Sequence, residues 1–158
     1  MYIVLSGSVS VNINSYSNNA APLAILEEGS FFGEMSLLEK KPRSATVFAS
    51  SESVILLEIE EKDFPKLLRD GGSTSYRLLY TLNQRLNDML DRIYEYGEDK
   101  KFVFHYRKNP HYVAIQKLNE ENFYAIANEN TDYIWTLLKY LSSCLTELNN
   151  RYVARIEN

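Results

Sequence analysis

Hydrophobic and polar positions follow two different periods along this chain. In the first third the period is two. YIVLSGSVSVNI, from Tyr2, alternates apolar with small or polar residues around Gly7, a pattern that predicts strands with a turn or bulge at the glycine. NINSYSNNAAP, ending at Pro22, has the composition of a hairpin loop, and PLAILEEGSFFG adds a short strand and a Glu-Glu-Gly turn. SATVFASSESVILLEI reads as two strands joined by Ser-Ser-Glu-Ser. Short strands at this spacing predict a sandwich or roll.

From Asp63 onward the period becomes helical. Asp63 precedes a short helix carrying Phe64, Leu67 and Leu68, with Pro65 tolerated in its first turn and Gly71-Gly72 ending it. A second helix from Ser73 sets Leu79, Leu82, Leu86, Met89 and Ile93 at steps of three and four. Shifting the chain by 59 positions places Val54, Leu56, Ile59, Glu61 and Phe64 on Val113, Ile115, Leu118, Glu120 and Phe123. The same shift carries Leu78, Leu79, Leu82, Leu86, Met89 and Arg92 onto Leu137, Leu138, Leu141, Leu145, Leu148 and Arg151. This internal repeat predicts a second, degenerate strand, strand, helix, helix unit over 97–158, with Lys108-Asn109-Pro110 as its hairpin turn. The expected fold class is α+β: a roll with C-terminal helices over 1–96, followed by that unit. Two leucine seams, Leu79, Leu82, Leu86, Met89 and Ile134, Leu138, Leu141, Leu145, Leu148, need a cover, so a homodimer through them is expected, with pairing of the two inside one chain as the alternative.

Composition narrows the function. The chain has 158 residues, 45% of them apolar, which is enough for a core, and a net charge of −4 with no global positive field for nucleic acid or an acidic membrane. One cysteine, Cys144, rules out an internal disulfide, and with only His105 and His111 beside it no four-ligand zinc site is expected. Cys144 sits in a leucine-rich helical pattern and reads as a small buried hydrophobe, while the two histidines read as exposed strand and turn positions. No apolar run reaches the length of a membrane span, so a soluble, cytoplasmic protein is the expectation.

Chemistry concentrates in FFGEMSLLEKKPRSATV, residues 31–47, where Glu34 stands nine residues before Arg43. A guanidinium beside small residues suits an anion, and a carboxylate accepts hydrogen bonds from a hydroxyl but repels phosphate. The pair therefore fits a ribose phosphate; a solvated charged turn is the competing reading. FGEMSLL followed by PRSATV resembles the phosphate-binding cassette of cyclic nucleotide-binding domains. The nine-residue interval matches kinase regulatory subunits and cyclic-nucleotide-gated channels, and the bacterial catabolite activator has one residue more. The flanking YIVLSGSVSV and VILLEIEEKDFPKLL are similar to the family's strand and glycine turn ahead of the cassette and to its last strand and hinge helix, so the resemblance runs from Tyr2 to about Ile93. It starts at the strand before that glycine turn, so the roll is expected without the family's front helix and first strands.

The resemblance implies that Glu34 binds the ribose 2′-hydroxyl and Arg43 the cyclic phosphate, with Gly33, Met35, Ser36, Ser44, Ala45 and Thr46 completing the ligand-binding set. In the family, threonine after the arginine tends to accompany cGMP and alanine or serine cAMP, so Ser44 points to cAMP. Tyr76, Tyr80 and Met89 are the candidates for a lid over the base, and ligand is expected to close the cassette against the helix from residue 73. The implied function is a cyclic nucleotide sensor without catalytic activity and with no cofactor besides its regulatory ligand. Three alternatives stand beside it. A regulator of the catabolite activator type requires a basic recognition helix, and with eight Lys or Arg against eight Asp or Glu in residues 97–158, direct DNA binding is not expected. A metal-dependent jelly-roll enzyme lacks the histidines it requires, and a degenerate, non-binding scaffold is the third.

Overall fold

The computed structural model describes residues 1–12, 22–43, 45–70, 72–95 and 100–156. The chain divides into two compact units, Met1–Phe64 and Pro65–Asn158. The class is α+β.

Among the described residues, the first unit holds six strands and one short helix. Strand β1 (Tyr2–Ser6) is central in a sheet of order β4-β1-β6, with β4 at Phe31–Phe32 and β6 at Ile55–Glu58. Strand β2 (Val9–Asn12) is central in a second sheet of order β3-β2-β5, with β3 at Ala24–Leu26 and β5 at Thr46–Ala49. Every pairing is antiparallel. Gly7 lies between β1 and β2 at φ 80°, where a side chain's Cβ would meet the Ser53 carbonyl oxygen at 2.2 Å. The glycine is thus the point at which one continuous alternating stretch passes from the first sheet into the second. Val4, Val9, Phe31 and Leu38 are buried here, and Met1 continues the β1–β6 ladder by exchanging backbone hydrogen bonds with Ile59.

The second unit is helical among its described residues. Helix α2 spans Phe64–Asp70, and the Ser75 hydroxyl, in the first turn of α3 (Ser73–Glu95), donates to the Leu67 carbonyl at 2.8 Å, satisfying an end of α2. Helices α4 (Lys100–Arg107), α5 (Pro110–Gln116), α6 (Glu120–Glu129) and α7 (Thr131–Ile156) follow. The strands and the Lys108-Asn109-Pro110 hairpin expected from the repeat are therefore corrected to helices α4 and α5. Asn109 is the N-cap of α5, its side chain accepting from the His111 N–H at 2.9 Å, and Pro110 occupies the first turn, where its missing N–H costs nothing. Val103 and Tyr106, then Tyr112 and Ile115, are buried at helical steps of three, whereas a strand would have buried alternate residues. His105 and His111 accordingly sit on helices, His105 exposed and His111 half-buried with its ring 5.4 Å from that of Tyr140.

The helical half of the repeat does have a counterpart: the 59-residue shift carries α2 and α3 onto α6 and α7. Phe64 and Phe123 are both buried, as are Leu78, Leu79, Leu82 and Leu86 and their counterparts Leu137, Leu138, Leu141 and Leu145. Helices α3 and α7 pack on each other, so the leucines that motivated a homodimer are covered within one chain. Met89, expected in the seam, is half-buried, and Leu90 takes the buried place instead. Polar bonds lock the smaller helices onto this pair. Gln116 donates to Asn83 at 2.7 Å, Tyr112 to Asn87 at 2.8 Å, and the Tyr106 hydroxyl to Glu147. No helix of the described residues is long and apolar enough to cross a membrane.

Candidate functional site

The glycine ahead of Glu34 sets the geometry of the cassette. Strand β4 ends at Phe32, and Gly33 turns the chain into helix α1 (Glu34–Glu39) with φ 73° and ψ 9°, a left-handed conformation that L side chains disfavour. There is a second reason for glycine. A Cβ at this position would lie 2.7 Å from Nη1 of Arg43.

Arg43 reaches back over ten residues to that turn. Its Nη1 donates to the Gly33 carbonyl at 2.7 Å and to the Ser36 hydroxyl, which itself donates to the Gly33 carbonyl at 3.1 Å. The other guanidinium nitrogens make no hydrogen bond to a described residue, and the side chain is exposed. A cation is thus held by one edge and left open to solvent on the rest, the arrangement in which a guanidinium binds an oxyanion with its remaining N–H groups. Glu34 differs sharply: it opens α1 and is 1% exposed. A buried acceptor and an exposed cation therefore flank the same glycine turn.

The structure brings Gly33, Ser36 and Arg43 into one hydrogen-bonded cluster, with Glu34 adjacent in the chain. Met35 is half-buried in the first turn of α1. Ala45 is half-buried just before β5, and Thr46 opens that strand, exposed and opposite Asn12. Ser44 lies outside the described residues. Between helix and arginine, Lys40 ends α1 in the left-handed region at φ 54° and pairs with Glu61 at 3.6 Å on the surface.

Sequence reasoning missed Tyr2. Its ring lies 6.0 Å from the Arg43 guanidinium carbon and stacks on Phe32 at 5.2 Å, while its hydroxyl donates to Glu58 at 2.8 Å. The bond to Glu58 raises the tyrosine's pKa. Tyr2 meets Phe32 and Glu58 because β1 pairs with β4 and β6 at the register Tyr2 to Phe32 and Tyr2 to Glu58. The signal was the aromatic at the start of β1, and only the pairing gives it meaning. Of the lid candidates, Tyr80 is exposed and Met89 half-buried, while Tyr76 packs against Phe123 and Tyr124, with ring centroids 5.4 and 6.5 Å away.

Comparison with known proteins shows what this part of the chain is similar to. Residues 1–70 match the family model described as the cyclic nucleotide-binding domain. It is 34% identical over 77 residues to the cAMP-dependent protein kinase regulatory subunit of Blastocladiella emersonii, covering 49% of this chain and 19% of the relative. It is 34% identical over 88 residues to the cyclic AMP receptor protein of Thermus thermophilus, covering 56% of this chain and 40% of the relative. A cGMP-dependent protein kinase of Caenorhabditis briggsae is 27% identical over 137 residues, covering 86% of this chain and 16% of the relative. The chain thus spans well under half the length of these relatives. No solved structure gives a significant match.

Proposed function

We propose that the chain is a regulatory sensor that binds a 3′,5′-cyclic purine nucleotide at Gly33–Thr46, cAMP in preference to cGMP. The observation that carries this reading is Arg43, anchored through Nη1 to the Gly33 carbonyl and Ser36 hydroxyl yet exposed, beside a buried Glu34. In the proposed complex the guanidinium pairs with the cyclic phosphate, the Glu34 carboxylate accepts from the ribose 2′-hydroxyl, and the Ser36 hydroxyl and cassette backbone N–H groups add neutral donors. The cAMP preference rests on Ser44 after the arginine, the position where the family resemblance associates alanine or serine with cAMP and threonine with cGMP. The relatives named for cAMP support the same choice. Binding is proposed to be read out as a change in the position of the helix that begins at Ser73.

Calorimetry with cAMP and cGMP on wild type, Arg43→Ala and Ser44→Thr tests the reading. Losing a bond to a charged group costs about 1.5–3 kcal/mol, so Arg43→Ala should bind cAMP at least tenfold more weakly. Ser44→Thr should narrow the gap between the two nucleotides. Equal cAMP affinity for wild type and Arg43→Ala, or none for wild type at millimolar ligand, contradicts the site; equal affinity for cAMP and cGMP in wild type contradicts the preference alone.

A further inference from the structure

Tyr2 is tied to both neighbours of its strand. The register that sets it opposite Phe32 of β4 and Glu58 of β6 makes the three residues one cross-strand row. The ring stacks on Phe32 with centroids 5.2 Å apart and planes 23° from parallel, and the hydroxyl donates to the Glu58 carboxylate at 2.8 Å. Stacking fixes the plane of the ring and the hydroxyl bond fixes its tip, so this half-buried side chain keeps little freedom.

The ring borders the turn that anchors Arg43. It lies 3.7 Å from where a Cβ on Gly33 would stand, and the Arg43 guanidinium carbon sits over it, 6.0 Å from the centroid. The hydrogen bonds that the guanidinium makes to described residues, the Gly33 carbonyl and the Ser36 hydroxyl, both use Nη1. Bonds to a single nitrogen hold one point of the group and leave its plane free to swing about that point. An aromatic face beside the plane limits that swing, because its electron density attracts a cation. A phenol hydrogen-bonded to a carboxylate is also more electron-rich than a phenyl ring, which strengthens the attraction.

We infer that Tyr2 is a positioning residue for the nucleotide site: with its hydroxyl tied to Glu58, the ring holds the Arg43 guanidinium in the orientation that meets the cyclic phosphate. The inference rests on the cassette being that site. Tyr2 acts through the arginine and not on the ligand, by narrowing beforehand the orientations that binding would otherwise have to freeze out.

The test is a calorimetric cycle with cAMP on the full chain, using wild type, Tyr2→Phe, Tyr2→Leu, Arg43→Ala and the double variant Tyr2→Leu/Arg43→Ala. Urea unfolding establishes that each is folded under the assay conditions. At the strength of an exposed cation–ring contact, Tyr2→Leu should weaken cAMP binding about two- to fivefold. Tyr2→Phe, which keeps the ring, should retain more affinity than Tyr2→Leu. In the Arg43→Ala background Tyr2→Leu should add no further loss, whereas a role in packing alone would weaken binding in both backgrounds. A second readout needs no ligand. The Arg43 Nε–H resonance of the free chain at mildly acidic pH, which the ring shifts magnetically, should move on Tyr2→Leu and by a smaller step on Glu58→Gln, a change at an exposed position that leaves the core untouched. The inference is overturned if Tyr2→Leu binds like wild type while Arg43→Ala is weakened, or if Tyr2→Leu costs the same affinity in both backgrounds. It is also overturned, whether or not nucleotide binds, if the Arg43 resonance is the same in wild type, Tyr2→Leu and Glu58→Gln. Wild-type affinity in Arg43→Ala sinks the cassette reading, and this inference with it.

Discussion

Gly33→Ala separates the two things this glycine does. Its φ of 73° costs an L-residue roughly 1–2 kcal/mol, a penalty on folding alone. The added Cβ would also sit 2.7 Å from Arg43 Nη1, and 3.7 Å from the Tyr2 ring, which is ordinary contact. Because Arg43 is an exposed, flexible side chain, its guanidinium moves aside at little cost to stability but gives up its bonds to the Gly33 carbonyl and Ser36 hydroxyl. Urea unfolding of the variant should therefore show a loss of about 1–2 kcal/mol. cAMP affinity, measured by calorimetry well below the unfolding transition, should drop about tenfold or more as the arginine loses its anchor. The same substitution in an Arg43→Ala background should keep the stability loss while adding no further loss of affinity. Wild-type affinity in Gly33→Ala would refute the idea that the anchored guanidinium matters. An undiminished binding effect in the Arg43→Ala background would show that the glycine acts by another route.

Further outcomes follow from the helical unit. Leu82→Glu and Leu141→Glu should each cost more than about 3 kcal/mol and unfold this unit, because both leucines are wholly buried within the chain; a stable variant whose only change in sedimentation is dissociation would contradict the intramolecular seam. Burial raises the pKa of Cys144 from 9.0 to about 11 and, together with neighbouring groups, raises those of Tyr106 and Tyr140 as well. The unfolded chain then sheds these protons first, so stability is complete below about pH 9 and falls as pH rises through 11; unfolding followed by Trp135 fluorescence at pH 7.5 and 10.5 should show the loss, and equal stability at both would oppose it. On the acid side, the Tyr106 hydroxyl holds the Glu147 carboxyl below its usual range, giving stability above the unfolded pKa that disappears as pH falls. Tyr106→Phe should flatten that acid limb, as read by the same fluorescence between pH 3 and 7.

The turn at Gly33 was legible in sequence through its residue types: a glycine where φ is positive, a carboxylate, and an arginine one short helix away. Strands β1 to β6 were legible for a different reason, since alternation over Val4, Val9 and their neighbours leaves little freedom in choosing a face. Tyr2 escaped notice because its place beside Arg43 depends on the pairing of β1 with β4 and β6. The helices α4 and α5 were misread at Asn109-Pro110, a pair that serves equally well as a turn or as an N-cap followed by the first helical residue. The few apolar residues around Val113 and Ile115 were too short a run to decide. Likewise, the spacing of Leu79, Leu82 and Leu86 announces a helix that packs on another helix, but period alone does not say whether that partner lies in the same chain; here it is α7.

The central claim, that the Gly33–Thr46 cassette is the nucleotide site, is tested most directly by following backbone amide resonances while cAMP is added to the full chain. The account predicts saturable shifts that begin at Gly33, Glu34, Ser36, Arg43 and Ala45 and are absent in Arg43→Ala at the same ligand concentration. Shifts confined to residues outside the cassette, or none at millimolar cAMP, would contradict it.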